Sequence, residues 1–427
     1  MAEKRPIILV TGANSGVGFG VCQRLLVQFS QKSPPDASPK AQKRRITSTE
    51  DETSPFLPAD GLTLILACRS TQRAETARSN LFKHIDDELA KRDTPHGRSF
   101  RKNLDIEIVK LDLSSVESVF EFPYITHLIL NAGTGDFVGI NWPLAIWEVC
   151  TRFKTAVTAP GFKIQATGKT SEDGLGWVWQ CNVFGHFVLV RSLREMLAHN
   201  PFSSSRVRSL REMLAHNPFS SSRVLWTSSL EGRPSFFPGI DDYQLLSAPH
   251  SYEASKYEAE LVACGLDELE SERNNGVRHL IVHPGVAGTN IFFEHTGWLL
   301  DKLMFVAFYI ARLLGSKHHP IQPYKAAISA VHIALVSLAI LPLLSTSGAT
   351  KEKSGPPPEG VSNGTNGETN RAEDYLPVRY GAEASLFGTE YVGVQPVEGY
   401  EEHREVGREL VARCNRLYNA FEKKYKM

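Results

Sequence analysis

Residues 7–18 read Ile-Ile-Leu-Val-Thr-Gly-Ala-Asn-Ser-Gly-Val-Gly. Ile7 to Val10 are apolar without alternation, the pattern of a parallel strand covered on both faces. Gly12, Gly16 and Gly18 follow at once, and Val21, Leu25 and Leu26 then recur at helical spacing. A strand that turns through glycines into a helix aims the free N–H groups of the helix N-terminus at an anion. The glycines let a pyrophosphate come close to the backbone. The spacing is Gly-x-x-x-Gly-x-Gly, not the usual Gly-x-Gly-x-x-Gly dinucleotide fingerprint, but the physical demand is the same. A tight turn without a ligand is the alternative reading, and it sits poorly with a position after the first strand of an α/β chain.

Further apolar strand candidates follow at Leu62–Ala67, Ile106–Leu111, His127–Leu130, Val224–Thr227 and His279–Val282, with helical stretches between them. Strands alternating with helices imply a parallel sheet covered on both faces. We therefore expect an α/β fold with a doubly wound Rossmann-type sheet. It forms a single domain with disordered insertions and an apolar C-terminal extension. The boundaries drawn are 1–292 for the dinucleotide-binding catalytic domain and 293–345 for an apolar substrate- or membrane-associating region. A disordered linker at 346–374 precedes a C-terminal segment with a helix at 375–427. Residues 31–60 are rich in Pro, Ser, Thr and charge, and read as a disordered insertion. Lys43-Arg44-Arg45 within it reads as part of a solvated loop, with contact to an anionic membrane as the alternative. Residues 191–207 recur unchanged at 208–224. Two copies are too few for a solenoid, and one copy suffices to finish a helix and enter the strand at Val224. The second is expected to protrude.

Composition sets wider limits. The chain has 427 residues, 42% hydrophobic and 22% charged, with a formal net charge of zero. Nothing there argues for nucleic acid or an acidic partner. Six cysteines (Cys22, Cys68, Cys150, Cys181, Cys264, Cys414) are scattered without a Cys-x-x-Cys pair, so we expect reduced thiols and no metal framework. No secretory signal is expected, because the N-terminus runs directly into the first strand.

Tyr252-Glu253-Ala254-Ser255-Lys256 is the main catalytic candidate. On a helix, positions i and i+4 share a face, so Tyr252 and Lys256 would look into one cleft. A free phenol has a pKa of about 10. A nearby ammonium is expected to lower it, which suits proton exchange during carbonyl–alcohol interconversion. Alone, the pair is also what a solvated helix face shows by chance.

In order along the chain stand Thr11-Gly12-Ala13-Asn14-Ser15-Gly16-Val17-Gly18, Asp112-Leu113-Ser114, Asn131-Ala132-Gly133, Asn182, Ser229, Tyr252-x-x-x-Lys256 and Pro284-Gly285-x-x-x-Thr289. This ordered set resembles the short-chain dehydrogenase/reductase family over nearly the whole span from Ile7 to Thr289. The resemblance implies that Tyr252 gives a proton to a carbonyl oxygen and that Ser229 holds the same oxygen. The family favours Ser229 over Ser228 for that task. Lys256 would bind the nicotinamide ribose, and Asn182 would order a water linking Lys256 to solvent. Gly12, Asn14, Ser15, Gly16, Val17 and Gly18 would cradle the cofactor. Asp112 would face the adenine, Asn131 would line the site, and Pro284, Gly285 and Thr289 would close it at the carboxamide. Ser229 and Tyr252 lie further apart in sequence than is usual in the family. The loop from Leu230 to Ser251 thus holds an insertion, whose Phe236, Phe237, Tyr243, Leu245 and Leu246 are candidates for a greasy pocket or for an ordinary surface loop.

NAD enzymes of this architecture carry an acidic residue after the second strand for the ribose 2′-OH. Here Cys68-Arg69-Ser70 stands there, with Arg73 a turn later. A guanidinium pairs well with a phosphate, so NADPH is the expected cofactor, held by Arg69.

Asn182-Val183-Phe184-Gly185, the segment Ser251–Lys256, Ala311-Arg312-Leu313-Leu314-Gly315-Ser316, Tyr324-Lys325-Ala326-Ala327 and Arg379-Tyr380-Gly381 narrow the resemblance. They are similar to the 3-ketosteroid reductases of sterol C4 demethylation. That implies reduction of a 3-keto sterol to the 3β-alcohol, beside a sterol C4-methyl oxidase and a C4-decarboxylase. The implied place is the cytosolic face of the endoplasmic reticulum membrane, with lipid droplets a further site. The apolar runs at 298–314 and 326–344 independently suit a lipid substrate. They read as core or lid helices, as interfacial helices or as a span. A retinoid or general carbonyl reductase, and a non-catalytic scaffold of a sterol-synthesis assembly, remain the competing readings.

Overall fold

The computed structural model describes residues 5–42, 58–115, 124–202, 219, 221–273, 276–288, 297–338, 341, 344–345 and 375–425. In chain order β1 (Ile7–Thr11) leads to α1 (Gly16–Phe29), β2 (Leu62–Cys68), α2 (Thr71–Lys91), α3 (Pro95–Lys102), β3 (Leu104–Lys110) and β4 (His127–Leu130). Then come β5 (Phe137–Ile140), α4 (Trp142–Thr151), α5 (Phe153–Thr158) and β6 (Lys163–Gln165). The helical stretch α6 (Trp177–Trp179), a π turn at Gln180–Phe184, α7 (Gly185–Ser192) and α8 (Arg194–Ala198) leads to β7 (Ser222–Thr227). After it stand α9 (Ser251–Arg273), β8 (Val277–His283), α10 (Gly297–Leu313), α11 (Pro323–Ala326) and α12 (Ile328–Leu335). The last elements are β9 (Leu344–Ser345), β10 (Tyr375–Leu376), β11 (Val378–Ala384), β12 (Glu390–Pro396) and α13 (Tyr400–Tyr425).

The main sheet has the order β12-β11-β8-β7-β4-β1-β2-β3. Every pair in it is parallel except β11 with β12. β1 pairs with β2 on one side and β4 on the other, so the strand order reverses there. Ligands bind such sheets in the crevice at the strand carboxyl ends of the reversal. The expected doubly wound sheet is the one observed. All of β1 is buried, and its side chains alternate between two cores, as strand geometry demands. Leu9 joins Leu128, Leu130, Trp226 and Phe187 under α7 and α9. Ile8 and Val10 join Leu25, Leu26, Leu64 and Val331 under α1 and α12.

Strand boundaries moved by one or two residues from the sequence pattern. β3 starts at Leu104 and β7 at Ser222, because ladder pairing continues through polar residues that periodicity cannot score. A larger difference lies in 31–60, expected to be disordered. Residues 35–41 form two 3₁₀ turns opened by Pro35 and Pro39, whose fixed φ suits a first helical position. Asp36 inserts under them and accepts two bonds from the buried Arg24 guanidinium, at 2.5 and 2.9 Å. Arg24 also reaches Glu390 at 2.9 Å and the Tyr324 carbonyl at 3.2 Å. The basic triplet Lys43-Arg44-Arg45 and the expected linker 346–374 lie outside the described residues.

The second apolar run is core. Every residue of α12 is buried, and His332 Nδ1 donates to the Asp36 carbonyl at 2.6 Å. Among the described residues no helix is long and apolar enough to cross a membrane. The last part of the chain completes the sheet. β11 lies beside β8, and Gly381 faces the His283 ring where a Cβ would clash. Helix α13 packs along α9, with Phe421 6.0 Å from Phe184. The first copy of the repeat finishes α7 and forms α8, and the end of the second enters β7. Phe202 and Phe219, equivalent in the two copies, pack together at 5.9 Å. Residues 203–218 and 220, the end of the first copy and most of the second, lie outside the described residues.

Candidate active site

The crevice at the carboxyl ends of β1 and β4 begins with the glycine turn. Gly12 and Gly16 hold φ of +65° and +53°, a left-handed region that side chains resist. At Gly18 a Cβ would fall 2.6 Å from Asn131 Nδ2, so only glycine admits this close approach. Ser15, exposed at the N-cap of α1, makes no side-chain cap bond. The first N–H groups of the helix are thus left to an outside acceptor. Asn14 and Val17 flank them, half-buried. Thr11 Oγ1 accepts the N–H groups of Asn131 and Ala132, both at 2.9 Å, which fastens β1 to β4 at the reversal. Asn131 Nδ2 donates to the Thr11 carbonyl at 3.3 Å. The cradle fits a dinucleotide pyrophosphate.

Arg69 is exposed at the end of β2 and forms no ion pair with any described residue. Asp112, after β3, accepts from Ser114 N at 3.0 Å and from its hydroxyl at 2.6 Å. Both charges reach the Cys181 thiol, which burial pushes up to about 12, with Asp112 adding to the rise and Arg69 opposing it. Arg69 and Asp112 therefore face one crevice wall. Pro284 and Gly285 lie beyond β8, and Gly285 has φ of +65° and a carbonyl of Ala382 where a Cβ would go. Thr289 lies outside the described residues.

The reacting end is built on α9. Its first turn carries Tyr252 and Lys256 on one face, as the spacing predicts. Ser229 is hydrogen-bonded to the Tyr252 phenol. The Ser229 hydroxyl oxygen accepts the Glu231 N–H at 3.2 Å, which leaves its own hydrogen for another oxygen. Ser228 is spent elsewhere, donating to Glu260 at 2.5 Å in a buried network with Arg379. Lys256 Nζ donates to the Thr227 carbonyl at 2.9 Å. Asn182 sits in the π turn, a local widening often found at functional sites. Its side chain makes three hydrogen bonds. The amide donates to Thr134 O and Ser255 Oγ at 2.9 and 2.8 Å, and its oxygen accepts Thr134 N at 2.9 Å. It clamps the segment after β4 to α9.

One expectation is corrected here. Lys256 does not lower the phenol. Its ammonium lies 5.8 Å from the Tyr252 ring centroid, and burial pulls its own pKa down to about 8, with Glu260 opposing. The Tyr252 phenol is instead raised. Burial is the main cause although the ring still reaches solvent at one edge; Glu231 and Glu253 act the same way, and only the Ser229 bond opposes. The aromatics of the inserted loop, open to reading as a greasy pocket or as a surface loop, are half-buried against the body of the domain. Phe236 packs on His250 at 4.9 Å, Phe237 on Tyr257 at 6.3 Å and Tyr243 on Trp179 at 5.3 Å, while Leu245 is buried. They fasten the loop to the body, and Phe137 of β5 is the ring that meets Tyr252, edge-on at 5.6 Å.

Sequence reasoning missed a second group of residues around Tyr252. Lys163 of β6 bonds Glu231 at 2.6 and 2.7 Å and Glu253 at 2.9 Å, with the lysine side chain only 3% exposed. Period-two patterning marks no charged residue in so short a strand as a buried partner. Glu253, between Tyr252 and Lys256 in the motif, was the only available hint.

No sequence-family profile matches the chain. Curated relatives do. The 3-keto-steroid reductase of Aspergillus fumigatus is 32% identical over 374 residues, covering 78% of this chain and 74% of the relative. That of Schizosaccharomyces pombe is also 32% identical, covering 78% of this chain and 82% of the relative. The chain belongs to the short-chain dehydrogenase/reductase family. It is an oxidoreductase of the 3-keto-steroid reductase group within it. The 3-keto-steroid reductase of Saccharomyces cerevisiae is 27% identical over 77% of this chain. Among solved structures, the NADP complex of Pseudomonas aeruginosa RhlG is 15% identical, with a TM-score of 0.43 over 77% of this chain and 89% of that one. L-sorbose reductase from Gluconobacter frateurii is 14% identical, with a TM-score of 0.41 over 78% of this chain and 93% of that one.

Proposed function

We propose that this reductase uses NADPH to convert the 3-keto group of a sterol C4-demethylation intermediate into the 3β-alcohol. The observation that carries the reading is the neutral, hydrogen-bonded phenol of Tyr252 beside Ser229, at the reacting end of a dinucleotide cradle, in a chain whose relatives are named 3-keto-steroid reductases. Bound NADPH would supply a hydride to the carbonyl carbon. Ser229 and Tyr252 would both donate to the carbonyl oxygen, where charge develops, and the Tyr252 proton passes to it as the C–O π bond breaks. A phenol is protonated at neutral pH, which is the state that donation to this oxygen requires. Arg69, exposed at the end of β2 and in no ion pair with any described residue, supports the 2′-phosphate and hence NADPH over NADH.

A lipid substrate also accounts for the exposed surface. α10 leaves Leu303, Val306, Tyr309, Ile310 and Leu313 exposed, and α4 leaves Trp142, Ile146 and Trp147 exposed. α5 joins the two by packing against both, and His319 Nε2, at the end of the α10–α11 connection, donates to the Val157 carbonyl of α5 at 3.3 Å. Patches of this kind on a soluble fold mark interaction surfaces. We read this one as the face that rests on the cytosolic side of the endoplasmic reticulum membrane or on a lipid droplet, where the C4-methyl oxidase and C4-decarboxylase would be its neighbours. Phe308 of α10 is buried against Phe305 and His319, so it holds the helix down and does not meet lipid.

Turnover of 3-keto sterols against retinal, with NADPH and NADH in parallel, tests the reading. Preference for 3-keto sterol with NADPH supports it. Preference for retinal would move the protein to the retinoid or general carbonyl reductases, and no turnover of any carbonyl would favour a scaffold.

A further inference from the structure

Tyr252 is surrounded by more charge than its motif requires. Lys163 comes from β6, Glu231 from the connection after β7, and Glu253 and Lys256 from α9. His250 stands just before α9, 4.0 Å from Glu253, and Arg233 acts on Glu231 from the same connection. The Lys163 ammonium bridges both glutamates and lies 5.5 Å from the Tyr252 ring centroid and 5.1 Å from that of Phe137. Gln165, at the far end of β6, donates to Glu253 at 2.5 Å and accepts from Ser251 Oγ and Tyr252 N at 3.1 and 2.8 Å. One short strand thus grips the first turn of the helix that carries the phenol.

Two carboxylates on one ammonium leave an excess of one negative charge when all three are ionised. Burying such a set is costly and adds little stability over an apolar packing, so the arrangement asks for another use. We propose that Lys163, Glu231 and Glu253 form a positioning device, with Glu231 its principal member, that locks the β5–β6 hairpin to the catalytic helix and holds Tyr252 as a proton donor. Glu231 is suited to this twice over. Its carboxylate is the strongest charged influence on the phenol, and its N–H holds the Ser229 oxygen that shares the phenol. Burial places the Glu231 carboxyl above the usual range and Lys163 pulls Glu253 below it, yet both are ionised in the alkaline range where a raised phenol titrates. Lys256, already pulled down to about 8, has lost its proton there and offers the phenolate little help. Excess negative charge is then what remains beside the oxygen, and it disfavours the phenolate.

The inference concerns the acid step of carbonyl reduction and so rests on that part of the proposed function, but its primary test needs no substrate. Phenolate absorbance is followed against pH in the full chain, with Tyr252→Phe as the subtraction that isolates the Tyr252 step. Glu231→Gln keeps the shape and a hydrogen-bond acceptor for Lys163 while removing the charge. The Tyr252 step should move down by about one pH unit or more, with Glu253→Gln moving it the same way by less. If Glu231→Gln does not fold, the Glu253→Gln shift carries the test. Lys163→Met, which leaves the carboxylates unopposed, should move the step up. Unmoved titrations in the folded glutamine variants overturn the proposal. Where wild-type enzyme turns over a ketone, the alkaline limb of kcat/KM should move with the titration. A wild type that reduces no ketone yet shows the shifts defeats the functional reading and leaves this one standing.

Discussion

Tyr252→Phe removes one oxygen and leaves the ring, and the structure says what that separates. The ring is held by Phe137 at 5.6 Å and lies near two ammonium groups, Lys163 and Lys256, at 5.5 and 5.8 Å. Phenylalanine keeps all three contacts, because they are made to the face or edge of the ring. What it loses is the bond to Ser229 and the only proton that Tyr252 can give. General acids of this kind contribute about 10²–10⁴-fold, or ~2.7–5.5 kcal/mol of barrier. Turnover should therefore fall at least a hundred-fold in kcat while KM for the ketone changes little, since the proton is needed where charge develops and not for binding. Cofactor affinity, read by fluorescence titration, should stay within a few-fold, because Gly12, Gly16 and Gly18 are untouched. The pH dependence carries a sign. A phenol raised above its ordinary value stays protonated through neutral pH, so wild-type reduction should lose rate only in the alkaline range, and any residual rate of the variant should lack that limb. A variant that keeps more than about a tenth of the wild-type rate, a barrier change under ~1.4 kcal/mol, would show that another group supplies the proton.

Three further outcomes follow from other parts of the molecule. Arg69→Asp should weaken NADPH binding far more than NADH binding, since it sets a carboxylate where the 2′-phosphate would lie; an unchanged ratio in parallel titrations would remove Arg69 from cofactor choice. Asp36→Ala leaves the Arg24 guanidinium buried with only Glu390 and the Tyr324 carbonyl, and should cost about 3–5 kcal/mol in denaturant unfolding, whereas a loss under about 1 kcal/mol would show that the 3₁₀ turns are dispensable. Excising 208–224 should leave a folded, active enzyme. The product is the same as if 202–218 were cut, and Asn200 Nδ2 already donates to the Phe219 carbonyl at 2.7 Å, so the new junction joins groups that are neighbours now; an insoluble or inactive product would show the second copy to be structural.

The fold was legible because its signal is repeated. Six short strand-like runs separated by helical stretches point together to a covered parallel sheet, and the glycines after the first one place the crevice. What was not legible are features that depend on one contact across a long sequence separation. Nothing near Asp36 announces that Arg24, a helix away, needs a partner, so a proline-rich stretch read as disorder. The charge-free run around α12 has the composition of a membrane segment, and only the sheet and α1 packed over it make it core. The hairpin β5–β6 is too short for a periodic signal, yet it carries the ring and the ammonium closest to the reacting phenol.

The tyrosine shows most clearly where a motif stops being informative. Tyr-x-x-x-Lys correctly puts two side chains on one helical face, because that follows from helix geometry alone. The sign of the electrostatic effect does not follow from it. An ammonium leaves a phenol lowered only if it keeps its charge and outweighs burial and the competing carboxylates. Here Lys256 turns to the Thr227 carbonyl and is itself pulled down to about 8, while Glu231 and Glu253 both act to raise the phenol. Glu253 was in plain view inside the motif, but its influence required Lys163 and Gln165 to bring it inward. The balance of these charges yields a phenol that holds its proton until a carbonyl oxygen gains negative charge in front of it. That sets how readily the phenol gives up its proton, and it ties the acidity of the site to residues that the family motif does not contain.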